Sequence, residues 1–131
     1  MDMSEQEVTV DSTKAPPCTI VIFGASGDLT RRKLIPALYS LGCGDRIPNT
    51  TQVVGVARTD MSDEAFRENL LPGVEAHGRL QACLPWDTFS GQLSYVSGLY
   101  DEAETYARLK RKLDQLDETA GTQNNRLFYL S

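Results

Sequence analysis

Residues 19–33 read Thr-Ile-Val-Ile-Phe-Gly-Ala-Ser-Gly-Asp-Leu-Thr-Arg-Arg-Lys and carry most of the information about the fold. The stretch begins with an apolar, β-branched run, which suits a strand buried on both faces of a parallel sheet. Gly24 ends that run and Gly27 follows it, and glycines let the backbone turn sharply and approach a ligand. From Ser26 onward a helix would open, with N–H groups and a positive dipole end that favour phosphate. Strand, glycine turn and helix in this order are the context expected of a dinucleotide-binding fingerprint.

The spacing of the glycines departs from the usual fingerprint. That fingerprint is G-x-G-x-x-G/A, whereas here Gly24 and Gly27 enclose two other residues and Thr30 takes the third small position. The residues alone therefore leave two interpretations open. One is a nucleotide-binding turn, and the other is a tight strand-to-helix turn of the kind found in any α/β protein.

The rest of the chain alternates predicted strands and helices. Apolar runs predict strands at 18–23, 52–57, 93–99 and 126–130, and helical periodicity predicts helices after Gly27, after a Ser62 cap, at 86–92 and at 101–119. Tyr106 falls on the apolar face of the last helix, and both Tyr106 and Trp86 are expected to be packing residues. Pro36 must kink the first helix or divide it into a short turn and a second segment. The β-α-β-α-β-α-β order predicts an α/β fold, a Rossmann-like doubly wound parallel sheet with right-handed crossovers. The sheet is expected to be truncated after about four strands, because a dinucleotide-binding domain has a second half.

Composition and charge exclude several classes of function. The formal charge of −5 and the pI near 4.8 argue against a nucleic-acid surface, which needs a basic face. A single histidine, His77, excludes a histidine-based metal cluster, and it is expected to be a solvated loop residue. The three cysteines are far apart and predict reduced thiols. With no membrane-length apolar stretch and no signal-peptide pattern, the sequence predicts a cytoplasmic protein without a membrane partner.

Four stretches, in this order, resemble the amino-terminal part of glucose-6-phosphate dehydrogenases. They are GASGDLTRRKLIPALY at 24–39, VGVAR at 54–58, YVSGLYD at 95–101 and NRLFYL at 125–130. The resemblance extends from about residue 18 to the end of the chain. It implies that 18–131 form a partial NADP-binding Rossmann domain, with the substrate domain absent, while the acidic residues 1–17 are expected to form a flexible tail.

The expected coenzyme site gathers the glycine turn, the end of the second strand and the end of the third. The residues assigned to NADP are Gly24, Ala25, Ser26, Gly27, Asp28, Leu29, Thr30, Arg31, Lys33, Arg58, Thr59, Leu99 and Tyr100. Asp28 would repel a phosphate if it pointed inward, so a structural role facing outward or capping the helix is expected for it.

Arg58 is the most informative single residue of this set. Enzymes that select NAD place an acidic residue near this strand end, whereas an arginine suits the 2′-phosphate of NADP. The residues alone equally allow a solvated loop arginine. The resemblance favours the first interpretation, because the NADP-binding arginine of the family matches Arg58. Lys33 matches a family lysine that lies between the coenzyme and the sugar phosphate.

The resemblance implies oxidation of glucose 6-phosphate at C1 to the lactone, with reduction of NADP, at the entry to the pentose phosphate pathway. In the family the general base is a histidine in a second domain, so no catalytic residue is assigned within these residues and the chain alone is expected to be inactive. No metal site is expected, and the full-length protein is expected to be a homo-oligomer that meets glucose 6-phosphate through that second domain. Two alternatives remain: another NADP-dependent reductase or epimerase-like protein, and a non-enzymatic nucleotide-binding module.

Overall fold

The computed structural model describes residues 18–43, 50–78, 85–122 and 125–130, without the side chains of residues 77 and 78. The predicted tail (1–17) therefore lies outside the described residues. The strands are β1 (Thr19–Phe23), β2 (Gln52–Ala57), β3 (Leu93–Ser97) and β4 (Arg126–Leu130). The α-helices are α1 (Ile35–Cys43), α2 (Asp63–Gly73), α3 (Trp86–Ser90) and α4 (Ala103–Thr119), and π-helical turns span Thr30–Leu34 and Val74–Gly78.

The described strands form one parallel sheet in the order β3-β2-β1-β4. Thr19, at the start of β1, pairs with Gln52 of β2 and with Arg126 of β4, so the central strand is in register with both neighbours. The chain moves outward from β1 to β2 and β3 and then returns to the other side of β1. This reversal confirms the predicted doubly wound topology, and it places the switch point at the carboxyl end of β1.

Each face of the sheet is covered by different helices. Ile22 and Val53 contribute to a core with buried residues of α1, α2 and α3, among them Tyr39, Phe66 and Phe89. The opposite face has a smaller core of strand valines and α4 leucines, namely Val21, Val54, Val56, Val96, Leu109 and Leu113. Both faces of β2 are thus covered, which explains why its sequence is nearly continuous in apolar residues.

The first helical segment is divided into a short turn and a second helix, which is the second of the two outcomes predicted for Pro36. The Ile35 N–H donates to the Thr30 carbonyl, five residues earlier, which makes the turn π-helical rather than α-helical. Pro36 then lies in the first turn of α1, where its missing N–H does little harm. The short first turn followed by a second segment is therefore the observed solution.

The later helices begin and end close to their predicted positions. Ser62 caps α2 by accepting a hydrogen bond from the Ala65 N–H at 3.1 Å, as expected. Helix α4 begins two residues later than predicted, at Ala103, and β3 ends two residues earlier, at Ser97. These shifts leave residues 98–102 as a loop between β3 and α4.

Two expectations from the sequence, one on packing and one on the cysteines, are wrong. Tyr106 was expected on the buried face of α4, but it is 44% exposed, because its side chain turns away from the sheet to hydrogen-bond the β3–α4 loop. Cys18 is a free thiol, but Cys43 is disulfide-bonded, so the expectation of reduced thiols fails there, since distance along the chain does not fix distance in space. Trp86 packs against the core as expected. His77 lies in the π-helical turn Val74–Gly78 rather than in the expected loop, and its side chain is outside the described part of the structure.

Strand β4 presents apolar side chains on both faces and, among the described strands, has a neighbour only on the β1 side. Leu127, Phe128 and Leu130 are 58%, 55% and 81% exposed. An apolar edge strand of this kind is a template for pairing with another chain.

No helix among the described residues is long and apolar enough to cross a membrane.

We expect the chain to self-associate through β4 in a concentration-dependent way that Leu130→Lys suppresses. A lysine at a sheet edge opposes pairing, and the 81% exposure of Leu130 means that the core loses little. Light scattering over a range of concentrations measures the effect. The matched control is Leu41→Lys on α1, which should associate like the unmodified chain. A clean monomer at high concentration before any substitution would contradict the prediction.

Candidate functional site

The glycine turn begins where β1 ends at the switch point. Gly24 has φ of 82°, a left-handed conformation that glycine adopts without steric penalty. The Gly24 and Ala25 N–H groups both donate to the Val56 carbonyl of β2, at 2.9 and 3.2 Å. The Gly27 N–H donates to the Gly24 carbonyl at 3.0 Å and closes the turn. The turn is therefore anchored to the central pair of strands, at the place where open α/β sheets bind ligands.

Close packing explains why the turn has small residues. A Cβ at Gly27 would lie 3.2 Å from the Gly24 carbonyl oxygen, so a larger residue would press on the turn. Ser26 is exposed, and its amide donates to no other backbone group in the described part of the chain. The helical segment that follows starts at Asp28 with its amino end toward solvent. First-turn N–H groups lack partners within a helix, so this end can receive a phosphate oxygen.

Asp28 faces outward, as expected, and pairs with the two arginines that follow it. Its carboxylate lies 2.8 Å from the Arg31 guanidinium and 3.2 Å from that of Arg32. Hydrogen bonds from these arginines hold the pKa of Asp28 below its ordinary value. The carboxylate therefore stays ionised, and its pairing is lost only when the pH falls through that lowered pKa. No capping bond from Asp28 is seen in the described residues, so its structural role is to orient the basic turn.

A cavity of about 210 Å³ lies between the glycine turn and the end of β2. Its polar lining comes from Ser26 of the turn, Arg31 of the basic π-helical turn and Thr59 after β2, together with Asn69 of α2. The apolar floor is Ala25, Met61, Phe66 and Leu70. The cavity thus combines two hydroxyls, a guanidinium and an amide with apolar side chains. Such a combination suits a polar ligand with an anionic group.

Arg58 and Thr59 directly follow β2 and are exposed. Arg58 makes no hydrogen bond or ion pair with the described residues and does not line the cavity itself. Its chain neighbour Thr59 is held in place, because the Tyr95 hydroxyl donates to the Thr59 carbonyl at 2.6 Å. The Tyr95 N–H in turn donates to the Asp63 carboxylate at 2.8 Å. The loop that carries Arg58 is therefore tied to β3 and to the start of α2.

Burial raises the pKa of Tyr95 from its ordinary 10.0 to about 12, with smaller contributions from Tyr100 and Asp60. Because the pKa is raised in the folded state, the stabilisation is complete below the ordinary value and is lost as the pH climbs through about 12. We expect the tyrosinate absorbance that disappears in Tyr95→Phe to titrate near the upper value. If the absorbance that is lost in Tyr95→Phe instead titrates near the ordinary value of 10.0, Tyr95 is not enclosed.

The remaining predicted site residues occupy different settings. Lys33 is exposed and makes no ion pair with the described residues, and Leu29 is 44% exposed on the same segment. Thr30 is fully buried, so its side chain faces the protein rather than a ligand. Leu99 and Tyr100 are exposed in the β3–α4 loop, and the Tyr100 hydroxyl reaches the Gly24 N–H at 2.6 Å. The structure therefore brings Tyr100 to the glycine turn and leaves Leu99 and Lys33 facing solvent.

Several residues at this site were not found by sequence reasoning. Met61 and Asn69 line the cavity, and the Tyr95 hydroxyl donates to the carbonyl of Thr59, which also lines it. The sequence places Tyr95 in the predicted strand 93–99 of the same parallel sheet. Nothing in the sequence indicates that its hydroxyl reaches Thr59. No group of three or more metal-ligating side chains occurs within the ranges that the structure describes.

Residues 21–131 match the family described as "Glucose-6-phosphate dehydrogenase, NAD binding domain". Among curated proteins, the chain is 44% identical over 117 residues to the glucose-6-phosphate 1-dehydrogenase of Chlamydia pneumoniae, a match that covers 88% of this chain. It is 45% identical over 119 residues to that of Aggregatibacter actinomycetemcomitans, which covers 90% of the chain. The matches cover 23% and 24% of these relatives, so the chain spans about a quarter of their length.

The fold is also similar to solved structures. One is described as glucose-6-phosphate dehydrogenase in complex with its substrate glucose-6-phosphate, and it superimposes with a TM-score of 0.76 at 34% sequence identity. That superposition covers 88% of this chain and 24% of the other. Since the likeness includes both sequence and backbone, it extends beyond the general α/β class.

Proposed function

The chain belongs to the family of the glucose-6-phosphate dehydrogenase NAD-binding domain, and from that premise we propose that it binds NADP across the carboxyl ends of β1 and β2. The observation that carries the proposal is the arrangement at the switch point. Ser26 of the Gly24 turn and Thr59 after β2 line one cavity, and Arg58 directly precedes Thr59 in the chain. In doubly wound sheets the pyrophosphate lies on such a turn and the adenosine ribose reaches the end of the next strand.

The backbone of the glycine turn is suited to the pyrophosphate. Ser26 is exposed just before the helical segment, and its amide donates to no other described backbone group, so this amide and the amino end of the helix dipole are both available to a phosphate. The Asp28 carboxylate pairs with Arg31 and Arg32, so the backbone amides rather than this side chain would meet the phosphates. The turn thus offers donors without an opposing charge pointing at the phosphates.

Charge and geometry at the end of β2 favour NADP over NAD. Arg58 has no ion-pair partner among the described residues, so its guanidinium is available for the 2′-phosphate. A guanidinium can donate two parallel hydrogen bonds to a phosphate, which adds direction to charge. Arg31 and Thr59 line the neighbouring cavity and supply a second cation and a hydroxyl. We assign these three residues to the 2′-phosphate end of the coenzyme.

For the longer protein we propose oxidation of glucose 6-phosphate at C1 in the cytoplasm, as part of a homo-oligomer. Bound NADP would supply the acceptor of the hydride at its nicotinamide ring. The residues described here would bind and orient that coenzyme, while Lys33 on the basic turn would assist the sugar phosphate by its charge. We assign no proton transfer to any residue of this chain.

The proposal is tested by comparing two fragments of the coenzyme as ligands of the chain. Adenosine 2′,5′-bisphosphate offers one phosphate to the glycine turn and one to Arg58, whereas adenosine 5′-monophosphate offers only the first. Isothermal titration should show binding of the bisphosphate that is at least about tenfold tighter, the value of one charge-assisted contact. Equal affinities would argue against a 2′-phosphate site, and no binding of either would argue against the nucleotide site itself.

A further inference from the structure

The β3–α4 loop (residues 98–102) reaches across the sheet to the glycine turn. Tyr100 follows β3 in sequence, yet its hydroxyl contacts the ends of β1 and β2. It accepts a hydrogen bond from the Gly24 N–H at 2.6 Å and donates to the Val56 carbonyl at 3.1 Å. Its ring meets that of Phe23 edge to face, with centroids 5.9 Å apart. A single side chain thereby joins three strands at the edge of the crevice.

This contact supports the turn rather than competing with a ligand for it. The Gly24 N–H also donates to the Val56 carbonyl at 2.9 Å, so the Tyr100 hydroxyl is a second acceptor for an amide that is already hydrogen-bonded within the sheet. Gly24 is also the residue of the turn with the left-handed backbone. The hydroxyl is therefore placed where the direction of the turn is set, and it occupies no amide that a phosphate would need.

Contacts from α4 hold the loop that presents Tyr100. The Tyr106 hydroxyl donates to the Tyr100 carbonyl at 2.6 Å. The Arg108 guanidinium donates to the Ser97 carbonyl at 2.6 Å, just before the loop. Gly98 packs so closely on α4 that a Cβ there would collide with the Thr105 hydroxyl. Tyr106 thus holds the backbone of Tyr100 directly, although its own side chain is largely exposed.

We propose that Tyr106 is a positioning residue for the glycine turn: its hydroxyl fixes the backbone of Tyr100, and the hydroxyl of Tyr100 fixes the amide of Gly24. The pair forms a relay from the first turns of α4 to the start of the phosphate-binding segment. Its effect on coenzyme affinity rests on the proposed function. The relay itself is a property of the nucleotide-free protein and can be tested without a ligand.

The first test is amide hydrogen exchange, measured by NMR on the nucleotide-free chain. Tyr100→Phe should raise the exchange rate of the Gly24 amide about fivefold, the factor expected for one lost hydrogen bond. Tyr106→Phe should raise it about two- to fivefold, since it acts through Tyr100. The amide of Val21, in the middle of β1, should keep its rate in both variants. The matched control is Tyr129→Phe on β4, an exposed tyrosine outside the relay.

An unchanged Gly24 rate in Tyr106→Phe would overturn the relay, as would an equal rise at Gly24 and Val21, which would indicate a general loss of stability. A second measurement, the affinity for adenosine 2′,5′-bisphosphate, tests the consequence. Tyr106→Phe should weaken binding about two- to fivefold, in parallel with the exchange. If the unmodified chain binds no nucleotide, the proposed function fails while the exchange rates still decide the relay. Altered exchange with unaltered affinity would refute the positioning role.

Discussion

We expect Arg58→Glu to lower the affinity of the chain for NADP by about 100-fold and to leave the affinity for NAD within about threefold. The guanidinium has no partner among the described residues, so its interactions are available to the 2′-phosphate. In the proposed complex the substitution would remove two charge-assisted hydrogen bonds and place a carboxylate beside the phosphate, for a loss of about 3 kcal/mol. NAD lacks that phosphate and should respond little. Calorimetric titration of both coenzymes measures the effect.

The matched control for this charge reversal is Arg111→Glu. Arg111 lies on α4, is 67% exposed and pairs with Glu104, so its replacement changes the net charge equally. Screening at physiological salt makes distant exposed charges weak, and NADP affinity should fall by no more than about twofold. Equal losses in the two variants would mean that Arg58 acts only through overall charge. Equal losses of NADP and NAD affinity in Arg58→Glu would remove the 2′-phosphate assignment.

We expect Gly55→Ala to lower the free energy of unfolding by about 2–3 kcal/mol and to weaken dinucleotide binding with it. Gly55 lies in β2 under the glycine turn, where an added Cβ would approach Phe66 Cζ to 2.6 Å and Ala25 Cβ to 2.7 Å. Neither neighbour can yield easily, because Phe66 is in the core and Ala25 belongs to the turn. The packing strain should therefore displace the turn as well as destabilise the fold. Urea denaturation and coenzyme titration measure the two effects.

Gly91→Ala is the control for the loss of a glycine. Gly91 ends α3 with φ of −64°, and a Cβ there would meet the Thr88 carbonyl oxygen at an ordinary 3.4 Å. Alanine fits this backbone, so stability should be unchanged or rise by up to about 1 kcal/mol. If Gly55→Ala is as stable as the unmodified chain, the close approach of β2, α2 and the turn is not required.

The strands and the topology could be predicted because local pattern and packing agree. Thr19–Phe23 and Gln52–Ala57 are apolar and β-branched in sequence, and both are enclosed between helices. The glycine turn was recognisable for the same reason, since Gly24 needs its left-handed backbone at the end of a buried strand. The family resemblance then turned a weak spacing into a specific expectation about Arg58 and the neighbouring residues.

What could not be predicted depends on contacts between residues far apart in the chain. The hydroxyl of Tyr95 meets Thr59, and that of Tyr100 meets Gly24, across separations of 36 and 76 residues. Periodicity indicates which face of a helix or strand is apolar, but it does not indicate which partner a tyrosine hydroxyl will bind. Tyr106 shows the same limit, because its helical spacing suggested burial while its hydroxyl turns to the loop. The π-helical form of the basic turn also had no separate sequence signal beyond Pro36.

The most direct measurement is a calorimetric titration of the chain with NADP and with NAD, on a sample shown by circular dichroism to be folded. We expect one NADP per chain, bound more tightly than NAD, because in the proposed site the glycine turn would bind both coenzymes and Arg58 would bind only the 2′-phosphate of NADP. NAD bound as tightly as NADP would contradict the role of Arg58. No binding of either coenzyme by the folded chain would contradict the assignment of the Gly24 turn as a dinucleotide site.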